Sequence, residues 1–224
     1  MICHHYKCIF IHVPKNAGQS VEHIFINLLG LKWKTRAPLL LRYNDMPELG
    51  PPRLAHLMAD EYVRFKYLTQ EMFDDYFKFA FVRNPWSRVV SFYNYLGYNK
   101  ICDFKTFLMK DFKNKIFKEK YWFVRPQNEF LFSSDGRCLV NFIGKFENIQ
   151  EGFNYVCEQI KIPKTQLLHI NTSSNNTDCF DGKKDNGKKL KLVRYQSYYD
   201  KESFEFVFSI YKKDINIFNY NFLN

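Results

Sequence analysis

Nowhere in the 224 residues does the pattern G-x-x-x-x-G-K-[ST] occur, so the chain lacks the glycine-rich loop that announces a nucleotide kinase or NTPase. No Pro/Gly/Ser-rich linker and no internal repeat divides it, which predicts a single domain over 1–224. No apolar stretch approaches the ~20 residues of a membrane span, and no apolar leader core follows Met1. With the first apolar strand starting at Cys8, no anchor stalk is expected, and the expectation is a soluble, cytoplasmic enzyme without a membrane span. Six cysteines (Cys3, Cys8, Cys102, Cys138, Cys157, Cys179) show neither C-x-x-C nor a Cys/His metal spacing. Reduced structural thiols are therefore expected, and no metal. Acidic residues are scarce: 23 Asp and Glu face 33 Lys and Arg, a formal net charge of +10, which suits a polyanionic partner. Nucleic acid would be one, but zinc-knuckle, RNP-like and helix-turn-helix signatures are also missing, so no nucleic-acid partner is expected.

What is present begins at Cys8-Ile9-Phe10-Ile11-His12-Val13-Pro14-Lys15-Asn16-Ala17-Gly18-Gln19-Ser20, an apolar strand running into a lysine-bearing turn. Val21, Ile24, Phe25, Leu28 and Leu29 then recur at helical spacing on one face, and Gly30 is placed to stop the helix. Ser20 thus falls near a helix start, where unpaired N–H groups and the dipole favour an anion, and Lys15 adds a full charge. A lysine in such a turn can equally be a solvated charge. A second strand-turn-helix follows in Phe79-Ala80-Phe81-Val82-Arg83-Asn84-Pro85-Trp86-Ser87-Arg88-Val89-Val90-Ser91, with Pro85 in the first turn, where its missing N–H costs nothing. Arg88 and Ser91 are three apart and share a helix face, and with Arg83 they are suited to a second anion. Either arginine alone would read as a surface salt-bridging residue; the two segments together favour the anion reading. Two such units imply parallel strands flanked by helices, an α/β sheet whose ligand lies at the strands' carboxyl edge.

These two segments resemble the sulfotransferases that use 3′-phosphoadenosine 5′-phosphosulfate (PAPS), particularly the branch with heparan sulfate 2-O-sulfotransferase and bacterial carbohydrate sulfotransferases. Pro14–Ser20 resembles that family's 5′-phosphosulfate loop and Arg83–Ser91 its 3′-phosphate segment. Arg125-Pro126-Gln127, Asn141-Phe142-Ile143-Gly144-Lys145-Phe146-Glu147-Asn148 and the stretch from Tyr199 to Tyr220 resemble later family segments. The resemblance implies the P-loop-like sulfotransferase fold, and PAPS as sulfate donor with PAP as product. It implies donor binding by Lys15, Asn16, Ala17, Gly18, Gln19, Ser20, Arg83, Arg88 and Ser91. The partner is then a hydroxyl-bearing acceptor, a glycan or small metabolite.

Sulfuryl transfer needs charge neutralised on the leaving phosphate, which suits the flexible ammonium of Lys15, and a base for the acceptor's proton. Of six histidines, His56 lies between the two phosphate motifs, where the family places its catalytic base. His169 or a carboxylate is the alternative, although at His169 Leu168 replaces the proline of the corresponding family stretch. His12 reads as a packed strand residue, His23 as solvent-facing, and Glu22 as a first-turn carboxylate serving the dipole. The lysines of 172–191 read as a flexible basic loop, with closure over the nucleotide as the functional alternative. Other functions stay open: a kinase-like phosphotransferase, a non-catalytic basic module for nucleic acid or acidic polysaccharide, and a degenerate sulfotransferase fold that binds PAP without turnover.

Overall fold

The computed structural model describes residues 1–168 and 194–223; the basic loop at 172–191, His169 and Cys179 lie outside the described residues. The main elements are β1 (Ile2–Cys3), β2 (Cys8–Ile11), α1 (Gly18–Leu28), β3 (Phe77–Val82), α2 (Pro85–Tyr95), β4 (Phe142–Lys145), α3 (Ile149–Gln159) and α4 (Lys201–Ile217). Short helical turns fill the connections. The chain is thus a mixed α/β protein, and its contacts divide into two compact units. The first comprises Met1–Arg83 and Tyr121–Leu168; the second begins at Asn84–Lys120 and includes the described residues of 194–223.

The first unit holds a four-stranded sheet in the order β1-β2-β3-β4. β1 pairs antiparallel with β2, while β2, β3 and β4 run parallel. All of β2 and nearly all of β3 are buried, as parallel strands covered on both faces must be. Phe10 stacks on Phe79 at 5.1 Å, and Phe81 continues the row. Room for the Phe81 ring comes from two glycines: a Cβ on Gly144 would lie 2.5 Å from it and one on Gly152 2.9 Å. α1 buries Val21, Ile24 and Phe25, as its periodicity predicts, and Gly30 ends it at φ 65, donating its N–H to the Asn27 carbonyl. Because β2 and β3 are parallel neighbours, the Lys15 turn and Arg83 both leave the sheet at its carboxyl edge.

The second unit is helical and rich in aromatic contacts. Pro85 opens α2 as expected, with the Asn84 side chain accepting from the Trp86 N–H at 3.1 Å. The Trp86 indole stacks on Phe204 of α4 at 5.1 Å, and the Tyr199 hydroxyl donates to the Trp86 carbonyl. α4 matches the expected closing helix; Asp200 caps it, accepting from the Ser203 N–H at 2.8 Å. Phe107–Ile116 is wound as a π-helix, which nothing in the sequence pattern announces, and its Phe107 and Phe112 pack on Tyr93 and Phe92. Among the described residues no helix is long and apolar enough to cross a membrane.

Candidate functional site

The turn after β2 is held in a shape that few side chains adopt freely. Lys15 and Ala17 have φ of 71 and 57, in the left-handed region, and Ala17 stands at the N-cap of α1 with no side chain capping the helix. The turn is fixed from behind by Asn16, which is 1% exposed. Its Nδ2 donates to the Phe81 carbonyl and to Gln127 Oε1, both at 2.8 Å. Gln127 Oε1 also accepts from the Arg83 N–H, and its Nε2 donates to the Arg83 carbonyl at 2.7 Å. One amide side chain therefore ties the Lys15 turn to the end of β3, which gives the Arg125-Pro126-Gln127 stretch a structural purpose.

Lys15 is half-buried beside Arg83, whose Nη1 donates to the Lys15 carbonyl at 3.2 Å and whose guanidinium lies 4.2 Å from the Phe146 ring centroid. Burial, and after it the charge of Arg83, pushes the Lys15 amine down to about 7. Two cations this close, at an uncapped helix start, make a region that an anion would neutralise. Gly18, Gln19 and Ser20 form the first turn of α1, with the Ser20 N–H on the Ala17 carbonyl at 3.0 Å. Arg88 and Ser91 belong to α2 in the second unit. There Arg88 is 1% exposed, its guanidinium over the Phe92 ring at 4.8 Å.

A solvent-open cleft of about 410 Å³ in the first unit is lined by His56, His12 and Glu22 together with Gln19 of the turn. His56 ends a short turn, Leu54–His56, anchored by the buried Leu54 and Leu57. Its Nδ1 lies 2.9 Å from the His12 carbonyl. A carbonyl only accepts, so Nδ1 carries the proton and Nε2 keeps its lone pair. Burial holds the imidazole well below its ordinary value, with His12 and Arg53 acting in the same direction, so it is neutral at neutral pH. Trp122 and Phe123 pack around it at 5.8 and 6.3 Å.

The structure overturns the simple readings of His12 and Glu22. Glu22 does not sit in the first turn of α1 for the dipole; its carboxylate accepts a hydrogen bond from His12 Nδ1–H at 2.5 Å, with both side chains under a tenth exposed. The His12 ring stands edge-on to His56 at 4.4 Å and presses on Gly18, where any Cβ would collide with it. Gly18 is thus required by this contact and not by its φ. Nothing in sequence spacing flags a pair ten residues apart on a strand end and a helix; the one available signal was two titratable residues flanking the lysine turn. His23, expected in solvent, is partly covered and stacks on Trp33 at 4.6 Å.

The fold places the chain among α/β proteins with a mostly parallel sheet flanked by helices. Within that class it belongs to the sulfotransferase family, whose family model, described as "Sulfotransferase family", matches residues 1–221. It is also similar to an uncharacterized protein of Archaeoglobus fulgidus, at 33% identity over 109 residues, which span 47% of this chain and 85% of that one. No solved structure matches it.

Proposed function

We propose that the chain, 1–224, is one sulfotransferase domain that moves the sulfuryl group of PAPS to a hydroxyl of a glycan or small-metabolite acceptor. The observation that carries this reading is a neutral, tautomer-fixed imidazole at His56 in the same cleft as Gln19 of the lysine turn. The residues present suit a phosphosulfate: a half-buried amine, an uncapped helix start and a braced turn. Lys15, Asn16, Ala17, Gly18, Gln19 and Ser20 are assigned to the 5′ end. Asn16 acts there from behind the turn, and Arg83, Arg88 and Ser91 are assigned to the 3′ phosphate on their family motif. When bound, the donor supplies an activated sulfuryl group with a bisphosphate nucleotide as leaving group.

Lys15 neutralises the charge that builds on the leaving phosphate; an amine near 7 gains its proton as that charge arrives. His56 Nε2 receives the acceptor's hydroxyl proton, and the His12 carbonyl holds the ring's other nitrogen throughout.

The direct test is a melting curve with PAP, which should stabilise the fold by RT ln(1 + [L]/Kd), on the order of 2.7 kcal/mol at a hundredfold excess over Kd. His56→Ala should lower kcat for labelled PAPS while leaving PAP binding intact, and Lys15→Ala should abolish transfer without unfolding the protein. A shift with ATP and none with PAP would overturn the proposal in favour of a kinase. Wild-type turnover in the His56 variant would remove that residue from the mechanism.

A further inference from the structure

β1 and β2 meet at the edge of the sheet, and there Cys3 stands directly opposite Cys8. Opposed residues of an antiparallel pair share a face, with Cα atoms roughly 4.5–5.5 Å apart, inside the roughly 4.4–6.8 Å that a disulfide bridges. Both cysteines are free thiols and both are buried. The turn between them, residues 4–7, is tied to the segment that leads into β3. His4 Nδ1 lies 2.8 Å from the Tyr76 hydroxyl, Lys7 Nζ bonds the Asp75 carboxylate at 3.0 Å, and the Lys7 carbonyl accepts the Phe77 N–H at 2.9 Å. These contacts hold the two cysteines in register without any bond between them.

The two sulfurs are not equivalent. The Cys3 sulfur accepts hydrogen bonds from the Cys8 thiol and from the backbone N–H groups of Tyr6 and His5. These donors, Cys8 foremost, hold the Cys3 thiol down to about 7, whereas the shared bond and then burial push Cys8 well above its ordinary value. Cys3 is thus the thiolate of the pair and Cys8 its protonated neighbour. β1 is two residues long and pairs on one side only, so it is the strand of this sheet that opens most readily, and His4, His5 and Lys7 beside it are exposed.

We infer that Cys3 and Cys8 form a reversible redox staple across the β1–β2 hairpin, oxidised by a small-molecule disulfide. The Cys3 thiolate attacks one sulfur of that disulfide, whose S–S bond breaks and releases one thiolate. Cys8 gives its proton to the released thiolate, and its sulfur displaces the second one as the Cys3–Cys8 bond forms. Two electrons pass from the cysteines to the external disulfide, which leaves as two thiols. The new bond joins strands already in register, so oxidation keeps the fold and takes from β1 its freedom to peel away from β2. The staple lies at the opposite end of β2 from the Lys15 turn and does not depend on the sulfotransferase reading.

The test is to incubate the folded chain with oxidised glutathione, then alkylate and digest it without reduction. Trypsin cuts after Lys7, between the two cysteines, so a pair of peptides joined through Cys3 and Cys8 should be recovered. The intact mass should fall by about 2 Da for the two hydrogens lost. The melting temperature should rise by about 5 °C and return on adding dithiothreitol, because a closed loop restricts the unfolded chain. Cys8→Ala should stop the reaction at a glutathione adduct on Cys3, and Cys3→Ala should leave Cys8 unmodified. Absence of the Cys3–Cys8 link in the folded chain, a link that forms only in urea, or an oxidised chain that melts no higher than the reduced one would overturn the staple. Equal modification of Cys8 with and without Cys3 would overturn it too. Peptide mapping of the unmutated chain decides the question even where a substitution fails to fold.

Discussion

At the scale of single residues, the altered proton affinity of Lys15 makes its own prediction. The amine sits at about 7 in the folded chain against an ordinary value of 10.5, so between those values the unfolded chain holds the extra proton. Stability contributed by this residue therefore rises with pH from about 7 to 10 and is fully lost below 7. Lys15→Met should flatten that rise in denaturant midpoints measured across the range. A phosphate bound at the turn pulls the proton back, so PAP should bind with proton uptake and weaken by up to about tenfold per pH unit above 7. Calorimetry in buffers of different ionisation enthalpy reads the uptake. Glu22 provides a second case. Glu22→Ala leaves the buried His12 Nδ1–H without its acceptor, at a cost of about 1–3 kcal/mol in chemical denaturation, and Glu22→Gln should recover most of it because an amide oxygen still accepts. The turn at Lys15 was legible from its strand-turn-helix pattern, whereas His56 was singled out only through the family resemblance. The His12–Glu22 pair was not, since it exists only once β2 and α1 are packed, and helix position alone suggested a dipole role for Glu22.

At the scale of elements, periodicity and punctuation were enough to place α1, β2, β3 and the proline-started α2, because each is decided by neighbours in sequence. The glycines of the Gly144 stretch and of α3 were not readable this way. Their need arises from the Phe81 ring, which reaches them across the sheet from another strand. Gly144→Ala should cost about 1–3 kcal/mol through overpacking, read as a lowered denaturant midpoint with an unchanged slope. Shrinking the ring as well, with Phe81→Leu, should recover part of that loss. The π-helix at Phe107–Ile116 was equally hidden, since its turns carry ordinary helix formers; its Phe107 and Phe112 pack on α2.

Across the whole molecule, the formal charge of +10 sets how anionic ligands arrive. kcat/KM for the proposed donor PAPS should fall as salt rises from about 50 to 500 mM, whereas kcat at saturation should change little, because screening weakens encounter more than a formed complex. A stopped assay with labelled donor across that salt series checks it. The α/β class followed from two repeated strand-turn-helix units and the parallel sheet bears it out, whereas composition said only that an anionic partner would suit the charge. The division of contacts at Arg83 and Asn84 was invisible, since the motif runs through it without a break in pattern.

The imidazole lying against Gly18 makes two positions evolve as one. With His12 in place, Gly18→Ala drives a methyl into the ring and should impair both stability and turnover; in a His12→Ala background that collision is gone and the same methyl should cost much less. Such epistasis would let a lineage replace Gly18 only after His12 had gone, and a four-protein cycle of these variants would measure how tightly the two are coupled.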